Sequence, residues 1–411
     1  MKILFLTPYL PHPRAGHGAG EYLYHLIQHL SKRHQVTLCS FCDEREVVLA
    51  PELKTLDISY HVIPRSKGRQ KNLLANIALA IVRIYQLARS VVFWQPYYVS
   101  KFHDARMVQL VKQITSREEF DIVQAEFTFM AQYRVYMRSG KKVLQEIDVS
   151  IRPAYRKLKN ARSIIAKAIA WVELCRWMRY ELRAVSSFDH VLTVTEQDRL
   201  LLKKLTKKNH ISYFAHAFDI PSTSADYKSR EQHSLIFVGS YSHYPNRDAA
   251  AWLCEEIFPL VQRRHPEAIL YLVGPSFPGE LAVKAKENSG IHILGFVKNL
   301  DKYLQRCAVF VAPLRHGGGI KNKVLYAMAY GLPVVTTSIG IEGIDGLQPD
   351  TVLLGTTPQK LAEQIGKLFD DTHLAEDVGK RGVDLVRTHY DWDRSIRDVE
   401  SIYQNILQFH S

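Results

Sequence analysis

Cysteine is scarce in this 411-residue sequence, and the five that occur form no disulfide framework. Cys175, Cys254 and Cys307 are isolated in apolar surroundings. Cys39 and Cys42 have C-x-x-C spacing, but no second pair follows that would complete a metal site. This usage argues against a disulfide-stabilised secreted protein and indicates a reducing compartment, which we expect to be the cytoplasm.

Long apolar runs and metal-binding spacings are lacking too. No stretch of 18 apolar residues is free of charge, so the sequence predicts no membrane-spanning helix. The opening MKILFLTPYLPHP is typical of a short strand stopped by prolines and not of a signal peptide. The 18 histidines are scattered, with no H-x-x-x-H helical spacing among strong candidates for a metal site, and Asp391 is interpreted as a helix cap. We therefore expect no metal and no other cofactor.

Charge is unevenly distributed. Residues 1–210 contain 34 Lys and Arg against 18 Asp and Glu, a net charge of +16, whereas residues 211–411 contain 20 against 23, a net charge of −3. A basic first half predicts an anionic partner, which leaves a membrane surface, a phosphorylated lipid or a merely solvated basic face open. Nucleic acid is not expected, because the basic residues lack the interleaved aromatics of a known RNA-binding module.

The most apolar stretch is residues 73–98, which are interrupted by arginine and end in aromatics, Trp94, Tyr97 and Tyr98. One interpretation is an amphipathic helix buried in the core. The other is an apolar helix that lies on lipid, with its aromatics at the interface and the basic stretch 65–71 before it. The sequence leaves both open.

Short apolar strands alternate with helical stretches in two successive series. The first contains KILFLT, QVTLCSF, FDIVQAEF and KKVLQEID, and the second contains SLIFVGS, AILYLVG, IHILGFV, CAVFVAP and PVVTTS. Such alternation predicts parallel sheets covered on both faces. We predict an α/β protein with two Rossmann-like doubly wound domains, residues 1–210 and 211–388. A final helix within 389–411 is expected to pack back on the first domain.

One loop has distinctive chemistry. The strand CAVFVAP leads into Gly317, Gly318 and Gly319 and then into the helical stretch IKNKVLYAMAYG. Glycines there let the backbone approach a ligand, and helix N-terminal amides favour phosphate. Lys321 and Lys323 lie in the first turn, where positive charge opposes the helix dipole unless an anion binds. The pattern predicts a phosphate site, with a glycine turn and solvated lysines as the alternative.

The segment GGGIKNKVLYAMAYGLPVVTT resembles the nucleotide-sugar site of family 4 glycosyltransferases, of the glycosyl transferases group 1 type. The stretch from SLIFVGS to YLVG is similar to the first βαβ unit of that family's donor domain, and PYLPHPRAGHGAGEYLYHLIQHLSKRHQVTL to the opening of its acceptor domain. The resemblance covers nearly the whole chain and is most specific at 313–337. It implies the GT-B fold, in which two Rossmann-like domains face across a cleft.

The resemblance also implies roles for individual residues. Gly318 and Gly319 would lie near the donor diphosphate, and Ile320 would belong to the donor-binding site. Lys323 would be catalytic, because it would neutralise the charge that develops as the nucleotide leaves. Glu342, in the loop after the next strand, is a candidate to bind a sugar or ribose hydroxyl.

This chain departs from the family pattern in its donor site. Tyr326 stands where the family has a ribose-binding glutamate, and Gly318 corresponds to the glutamate eight residues upstream. The arginine and lysine that often follow the first donor-domain strand correspond to Ser240 and Asn246. The candidate substitutes for these two cations are Arg247, Arg315 and Lys321.

In the first domain, the resemblance implies that Gly18 borders the catalytic cleft. Asp148, at the end of VLQEID, is a second catalytic candidate, since it would orient an acceptor hydroxyl or act as a base. A helix-capping role for Asp148 is the alternative, and Glu126 is a weaker candidate of the same kind.

Together these features predict a hexosyltransferase-type enzyme that moves a sugar from a nucleotide-sugar donor to a glycan or lipid-linked acceptor. The resemblance implies retention of configuration, no metal requirement and a role in polysaccharide or glycoconjugate biosynthesis. We expect it in the cytoplasm, with peripheral contact at the inner face of the membrane through its basic half. A catalytically silent scaffold subunit of a glycan-assembly complex is the second hypothesis, and a sugar-nucleotide epimerase is a third.

Overall fold

A computed structural model describes residues 1–15, 18–44, 46–65, 73–221 and 226–408. The chain divides into two units: the first comprises Met1–Phe218 with Trp392–Ser411, and the second comprises Asp219–Asp391. Each unit contains one parallel sheet with helices on both faces. The predicted α/β class with two Rossmann-like doubly wound domains is therefore confirmed.

The first unit is built on a sheet whose central strands are mostly buried, whereas most of the edge strand Ser59–Arg65 is not buried. Its strands are β1 (Lys2–Thr7), β2 (Gln35–Asp43), β3 (Ser59–Arg65), β4 (Ile122–Glu126), β5 (Lys141–Glu146), β6 (His190–Thr193) and β7 (Ile211–Tyr213). Within the described ranges they form a seven-stranded parallel sheet in the order β3-β2-β1-β4-β5-β6-β7. Strands buried on both faces are typical of parallel sheets flanked by helices.

The helices of the first unit cover both faces of this sheet. They are α1 (Gly18–Ser31), α2 (Leu73–Val92), α3 (Tyr97–Lys101), α4 (Ala105–Arg117), α5 (Ile151–Asn160), α6 (Ile164–Ser187), α7 (Glu196–Thr206) and, from the end of the chain, α15 (Trp392–Gln408). One apolar layer includes α1 and α15, and the other includes α4, α6 and α7. Buried Trp392, Val399 and Tyr403 belong to the first layer, so the last helix completes the core of the first unit.

The unit boundaries differ from those expected. The first unit extends to Phe218 and not to residue 210, because β7 pairs with β6 and completes the first sheet. Residues 389–391 stay with the second unit, and α15 begins only at Trp392.

The helix α2 is not a buried core helix, and that interpretation of residues 73–98 is wrong. Among the side chains described for this helix, the buried ones are the polar Gln86 and Ser90, whereas Ile81, Ile84 and Leu87 are 61%, 67% and 57% exposed. The basic stretch 65–71 lies outside the described residues except for Arg65. Among the described helices, none combines the length and the apolar content needed to span a membrane.

The second unit repeats the architecture on a smaller sheet. Its strands are β8 (Glu231–Val238), β9 (Ile269–Val273), β10 (Ile291–Gly295), β11 (Cys307–Ala312), β12 (Val334–Thr336) and β13 (Leu353–Leu354). Its helices are α8 (Tyr244–Trp252), α9 (Phe258–Arg264), α10 (Gly279–Lys286), α11 (Asp301–Arg306), α12 (Asn322–Ala329), α13 (Pro358–Asp370) and α14 (Thr372–His389). In the part described, the parallel sheet has the order β10-β9-β8-β11-β12-β13.

Candidate functional site

The order of the second sheet reverses between β8 and β11. The chain runs outward from β8 through β9 to β10 and then returns to β11 on the other side of β8. In open parallel sheets, ligands bind beyond the carboxyl ends of the strands at such a reversal. Ser240 follows β8 there, and the glycine loop Gly317–Gly319 follows β11, so two of the predicted segments meet at the expected position.

The glycine loop is closed by the lysine that follows it. Nζ of Lys321 donates hydrogen bonds to the carbonyl oxygens of Gly318 at 2.9 Å and Gly319 at 2.6 Å. Gly317 and Gly319 have φ of 126° and 65°, a region that side chains disfavour. Lys321 is therefore buried as an internal support of the loop rather than solvated, while Gly318 itself is exposed.

Lys323 is held between the two segments of the reversal. Its ammonium group donates to Oδ1 of Asn246 and lies 4.9 Å from the centre of the Phe237 ring. Nδ2 of Asn246 in turn donates to the carbonyl oxygen of Ser240 at 2.9 Å. Burial, followed by the charge of Lys321, lowers the pKa of Lys323 to about 7.

Space around this pair is tightly limited by Gly239. A Cβ atom at this position would lie 2.7 Å from Cγ of Asn246 and 2.9 Å from Nζ of Lys323. Asn246, in α8, can therefore contact Lys323 only because residue 239, just after β8, lacks a side chain. Sequence analysis named Asn246 and Lys323 separately and did not predict their contact.

The two arginine candidates have different surroundings. Arg315 donates two hydrogen bonds to Asp248, at 3.0 and 2.7 Å, and its guanidinium lies 4.7 Å from the Trp252 ring centre. Arg247 is exposed, with its guanidinium 6.0 Å from the Tyr244 ring centre. Arg315 therefore fastens the loop to α8, and Arg247 is the candidate that keeps an accessible cation.

The remaining donor candidates lie on α12 and on neighbouring loops. Tyr326 is partly exposed, with its ring 5.7 Å from that of Tyr330. Glu342 lies in the loop after β12, the strand next to β11, and Ile320 is partly exposed at the end of the glycine loop. Sequence analysis missed Asn322, whose buried Oδ1 has no hydrogen-bond donor among the described residues. The roles of all these residues in donor binding stay predictions.

In the first unit, Asp148 lies two residues beyond β5 and is exposed. Its negative charge contributes to raising the pKa of Tyr9, after burial of that phenol and the influence of Tyr98. The capping alternative for Asp148 is wrong, because α5 begins at Ile151. The amides of Ser150 and Ile151 donate to the carboxylate of Glu181, at 2.7 and 2.9 Å. Gly18 is the first residue of α1.

Three buried carboxylates serve the interior of the first unit. Glu181 and Glu146 both lie within hydrogen-bond distance of the Thr128 hydroxyl, and Glu126 accepts from Gln124 at 2.7 Å. Each is fully buried, and burial raises the pKa of Glu126 to about 8. A group with no exposed surface cannot contact an acceptor directly, so the structure does not favour Glu126 as a base.

A cavity of about 1050 Å³ opens at the carboxyl ends of β1, β2 and β3. It combines aromatic rings with cationic side chains; those used below are Tyr9, Arg65, Tyr98, Lys101, Phe102 and Arg106. The guanidinium of Arg65 lies 4.6 Å from the Phe102 ring centre, and Nζ of Lys101 lies 4.8 Å from that of Tyr98. Sequence analysis missed this site, because its residues come from segments far apart in the chain.

Comparison with known proteins gives one family match and many similar folds. Residues 232–371 match the family model described as glycosyl transferases group 1. Over 297 residues the chain is 22% identical to an uncharacterized 44.6 kDa protein in the cps region of Klebsiella pneumoniae, and the match covers 68% of this chain and 74% of that protein.

Three solved structures illustrate the shared fold. Sucrose-phosphate synthase from Thermosynechococcus elongatus is 14% identical with a TM-score of 0.69, covering 99% of each chain. Anabaena HepE in complex with UDP is 14% identical with a TM-score of 0.67, covering 98% of this chain and 100% of that one. An S. aureus TarM mutant in complex with Fondaparinux, alpha-GlcNAc-glycerol and UDP is 10% identical with a TM-score of 0.66, covering 99% and 100%. The fold is GT-B, and with the family match this supports a glycosyltransferase.

Proposed function

We propose that this GT-B protein is a family 4-like glycosyltransferase that moves a sugar from a nucleotide-sugar donor to a glycan or lipid-linked acceptor. The observation that carries the proposal is the group formed by the glycine loop, Lys323 and Asn246 at the reversal of the second sheet. The resemblance of residues 313–337 to family 4 adds retention of configuration and independence of metal to the proposal. The relative from a cps region suggests a role in polysaccharide biosynthesis.

At the donor site, each part suits a different portion of a nucleotide diphosphate. Exposed Gly318 lets phosphate oxygens approach the backbone. The ammonium of Lys323, held by Asn246 at the same reversal of the sheet, would compensate charge as the sugar bond breaks. Arg247 supplies a further accessible cation. Because similar folds were solved with UDP, uridine nucleotides are the first donors to test.

Tyr326 makes the ribose-binding part of the site differ from the family pattern, which has a glutamate at this position. A phenol offers one oxygen where a carboxylate offers two, so Tyr326 alone makes fewer hydrogen bonds to a ribose diol. Glu342 and Asn322 are the side chains we propose to complete ribose or sugar binding. Oδ1 of Asn322 is buried without a hydrogen-bond donor among the described residues, and a ligand hydroxyl would satisfy it.

The cavity of the first unit suits a phosphorylated or saccharide acceptor. Aromatic faces such as Tyr98 and Phe102 contact sugar rings or lipid, and cations such as Lys101 and Arg106 attract phosphate. Asp148 lies on the same edge of the sheet and influences Tyr9 in the cavity wall. We propose Asp148 as the group that orients the acceptor hydroxyl.

The exposed apolar side chains of α2 support attachment to the inner face of the cytoplasmic membrane. Ile81, Ile84 and Leu87 lie on this helix, and Arg83 lies among them. Apolar side chains interspersed with cations are typical of helices that bind anionic lipid surfaces. Flotation with vesicles containing phosphatidylglycerol tests this: wild type should float at low salt. The variant with aspartate at positions 81, 84 and 87 should remain in the pellet fraction.

A matched control for flotation is Phe296→Asp, since Phe296 is 76% exposed in the second unit. This variant should float like wild type. Failure of wild type to float, or equal loss in the control variant, would overturn the proposed attachment.

The donor proposal is tested by calorimetric titration with UDP, GDP and a panel of their sugar conjugates. Wild type should bind one base selectively, and Lys323→Met should weaken that binding by about 100-fold through loss of a charge-assisted contact. Hydrolysis of the matching nucleotide sugar without acceptor would then establish donor activation. Absence of binding to every nucleotide would contradict the proposal.

Tyr326 supports the second candidate, a catalytically silent scaffold subunit. If wild type binds no nucleotide and Tyr326→Glu restores binding, the pocket is intact but lacks a ribose acceptor. The scaffold would then replace the enzyme as the conclusion. Tight binding by wild type would exclude this form of the scaffold proposal.

A further inference from the structure

Four charged or imidazole side chains meet at the amino edge of the second sheet, on the opposite edge from the glycine loop. His233 lies near the start of β8, and His265 directly follows α9. Glu267 precedes β9, and Asp370 is the last residue of α13. Their separation in the sequence explains why spacing alone predicted no metal site.

The first three of these residues present metal-binding atoms to one point. Nδ1 of His233 lies 2.6 Å from Oε1 of Glu267, and Nδ1 of His265 lies 3.9 Å from the same oxygen. One ligand atom from each residue can be chosen so that all three lie within 4.8 Å of one another. Ligands of tetrahedral zinc, bonded at about 2.0–2.2 Å, are about 3.4 Å apart, so small side-chain rotations suffice.

The imidazole of His265 is buried and has a carboxylate near each of its two nitrogens. It is only 7% exposed, and its buried Nε2 makes no hydrogen bond to the described residues. That nitrogen lies 3.6 Å from Oδ1 of Asp370, whose carboxylate is paired with Arg264. Metal-bound histidines commonly direct their second nitrogen to a carboxylate in this way. The arrangement leaves Nδ1 on the side of Glu267.

A local irregularity in β8 accompanies the position of His233. Glu231 pairs with Cys307, and Leu235 pairs with Val309. Three residues therefore intervene on β8 where only one intervenes on β11. His233 lies in this bulge at φ 56°, a left-handed conformation that is uncommon for histidine. Bulges redirect side chains, and here the His233 ring lies 5.1 Å from that of His265.

We propose that His233, His265 and Glu267 bind one divalent transition-metal ion of the zinc class, with Asp370 orienting His265. Glu267 is half-exposed, which gives the ion an entry path and leaves room for a water as fourth ligand. The ion joins the start of β8 to the turn between α9 and β9, and through Asp370 to α13. Because these segments lie at the amino edge, the site is structural and separate from the proposed donor site.

The experiment uses the untagged full chain, stripped with a chelator and titrated with zinc chloride against a chromogenic competitor. Wild type should bind one ion per chain and melt at a higher temperature when loaded. Glu267→Gln and His233→Asn should each weaken zinc binding by at least tenfold. Asparagine tolerates the left-handed backbone, and residue 267 is exposed, so neither change should prevent folding.

Two further variants separate a built site from surface binding. Asp370→Asn should weaken zinc binding by about 10- to 100-fold, as expected for a residue that orients a ligand. His373→Asn, which removes an exposed histidine three residues after Asp370 and outside the ligand set, should bind zinc like wild type. If wild type takes up no zinc, or if Glu267→Gln and His233→Asn bind as tightly as His373→Asn, the cluster is only a hydrogen-bonded ion pair and the proposal fails. Nucleotide titration of the stripped protein keeps this outcome independent of the proposed function.

Discussion

Lys323 should make nucleotide binding depend on pH. In the unliganded protein, burial first and Lys321 second lower the pKa of this ammonium group from 10.5 to about 7. A diphosphate favours the charged ammonium, so binding above pH 7 should take up a proton. The affinity should therefore fall as the pH rises through 7, because less of the protein then holds the proton that the complex needs.

The size of the effect follows from the pKa. For one group with a pKa of about 7, the protonated fraction falls about 16-fold between pH 7 and 8.5, or about 1.6 kcal/mol in binding free energy. Calorimetry with the preferred nucleotide, in buffers of different ionisation enthalpy, should show proton uptake approaching one per site at pH 8.5. The matched variant is Lys323→Arg, which stays charged over this range and should lose the dependence.

Two results would refute this reasoning. One is an affinity in wild type that stays constant from pH 6.5 to 8.5. The other is an identical pH profile in wild type and Lys323→Arg, which would assign the dependence to the phosphate of the ligand and not to the lysine. Either result would mean that Lys323 does not change its charge when the nucleotide binds.

Two further predictions concern single side chains. Gly239→Ala would place a methyl group 2.7 Å from Cγ of Asn246, so nucleotide affinity should fall about tenfold as Lys323 is displaced. The control is Gly279→Ala, whose added methyl group meets nothing within 4 Å and which should bind nucleotide like wild type in the same titration. Equal affinities would contradict this. For Glu126, the pKa is raised by burial from 4.5 to about 8, so the native state keeps a proton that the unfolded chain releases, and stability falls as the pH rises from 4.5 to 8. Glu126→Gln should therefore raise the free energy of unfolding, measured with urea, by on the order of 2 kcal/mol at pH 8.5 and hardly at pH 5. An equal increase at both pH values would exclude the titration of Glu126 as the cause.

The residues of the glycine loop show how far sequence reasoning reached. Three glycines between an apolar strand and a helix are local features, so the loop and its place after a strand were predictable. The burial of Lys321 was not, because its two hydrogen bonds depend on the path that the loop takes. The contact between Lys323 and Asn246 joins residues 77 positions apart and required the order of the strands.

Burial could not be inferred from composition alone. The helix α2 is apolar enough for a core, yet among its described side chains the buried ones are Gln86 and Ser90. Conversely, Glu146 and Glu181 are charged by type and fully buried. In both cases the burial of a side chain depends on which elements pack against it, and a local sequence pattern does not contain that information.

The alternation of strands and helices, the parallel sheets and the glycine loop follow from periodicity and from the backbone freedom of glycine, so they could be read from the sequence. Which distant side chains meet depends on the three-dimensional fold. The cluster of His233, His265, Glu267 and Asp370 comes from three segments and exists because the amino ends of neighbouring strands and the end of α13 converge at one edge. Electrostatic and hydrogen-bond energies depend on distance in space and not on separation along the chain. The partner of a side chain, and hence its charge and pKa, is therefore set by the way the segments pack together.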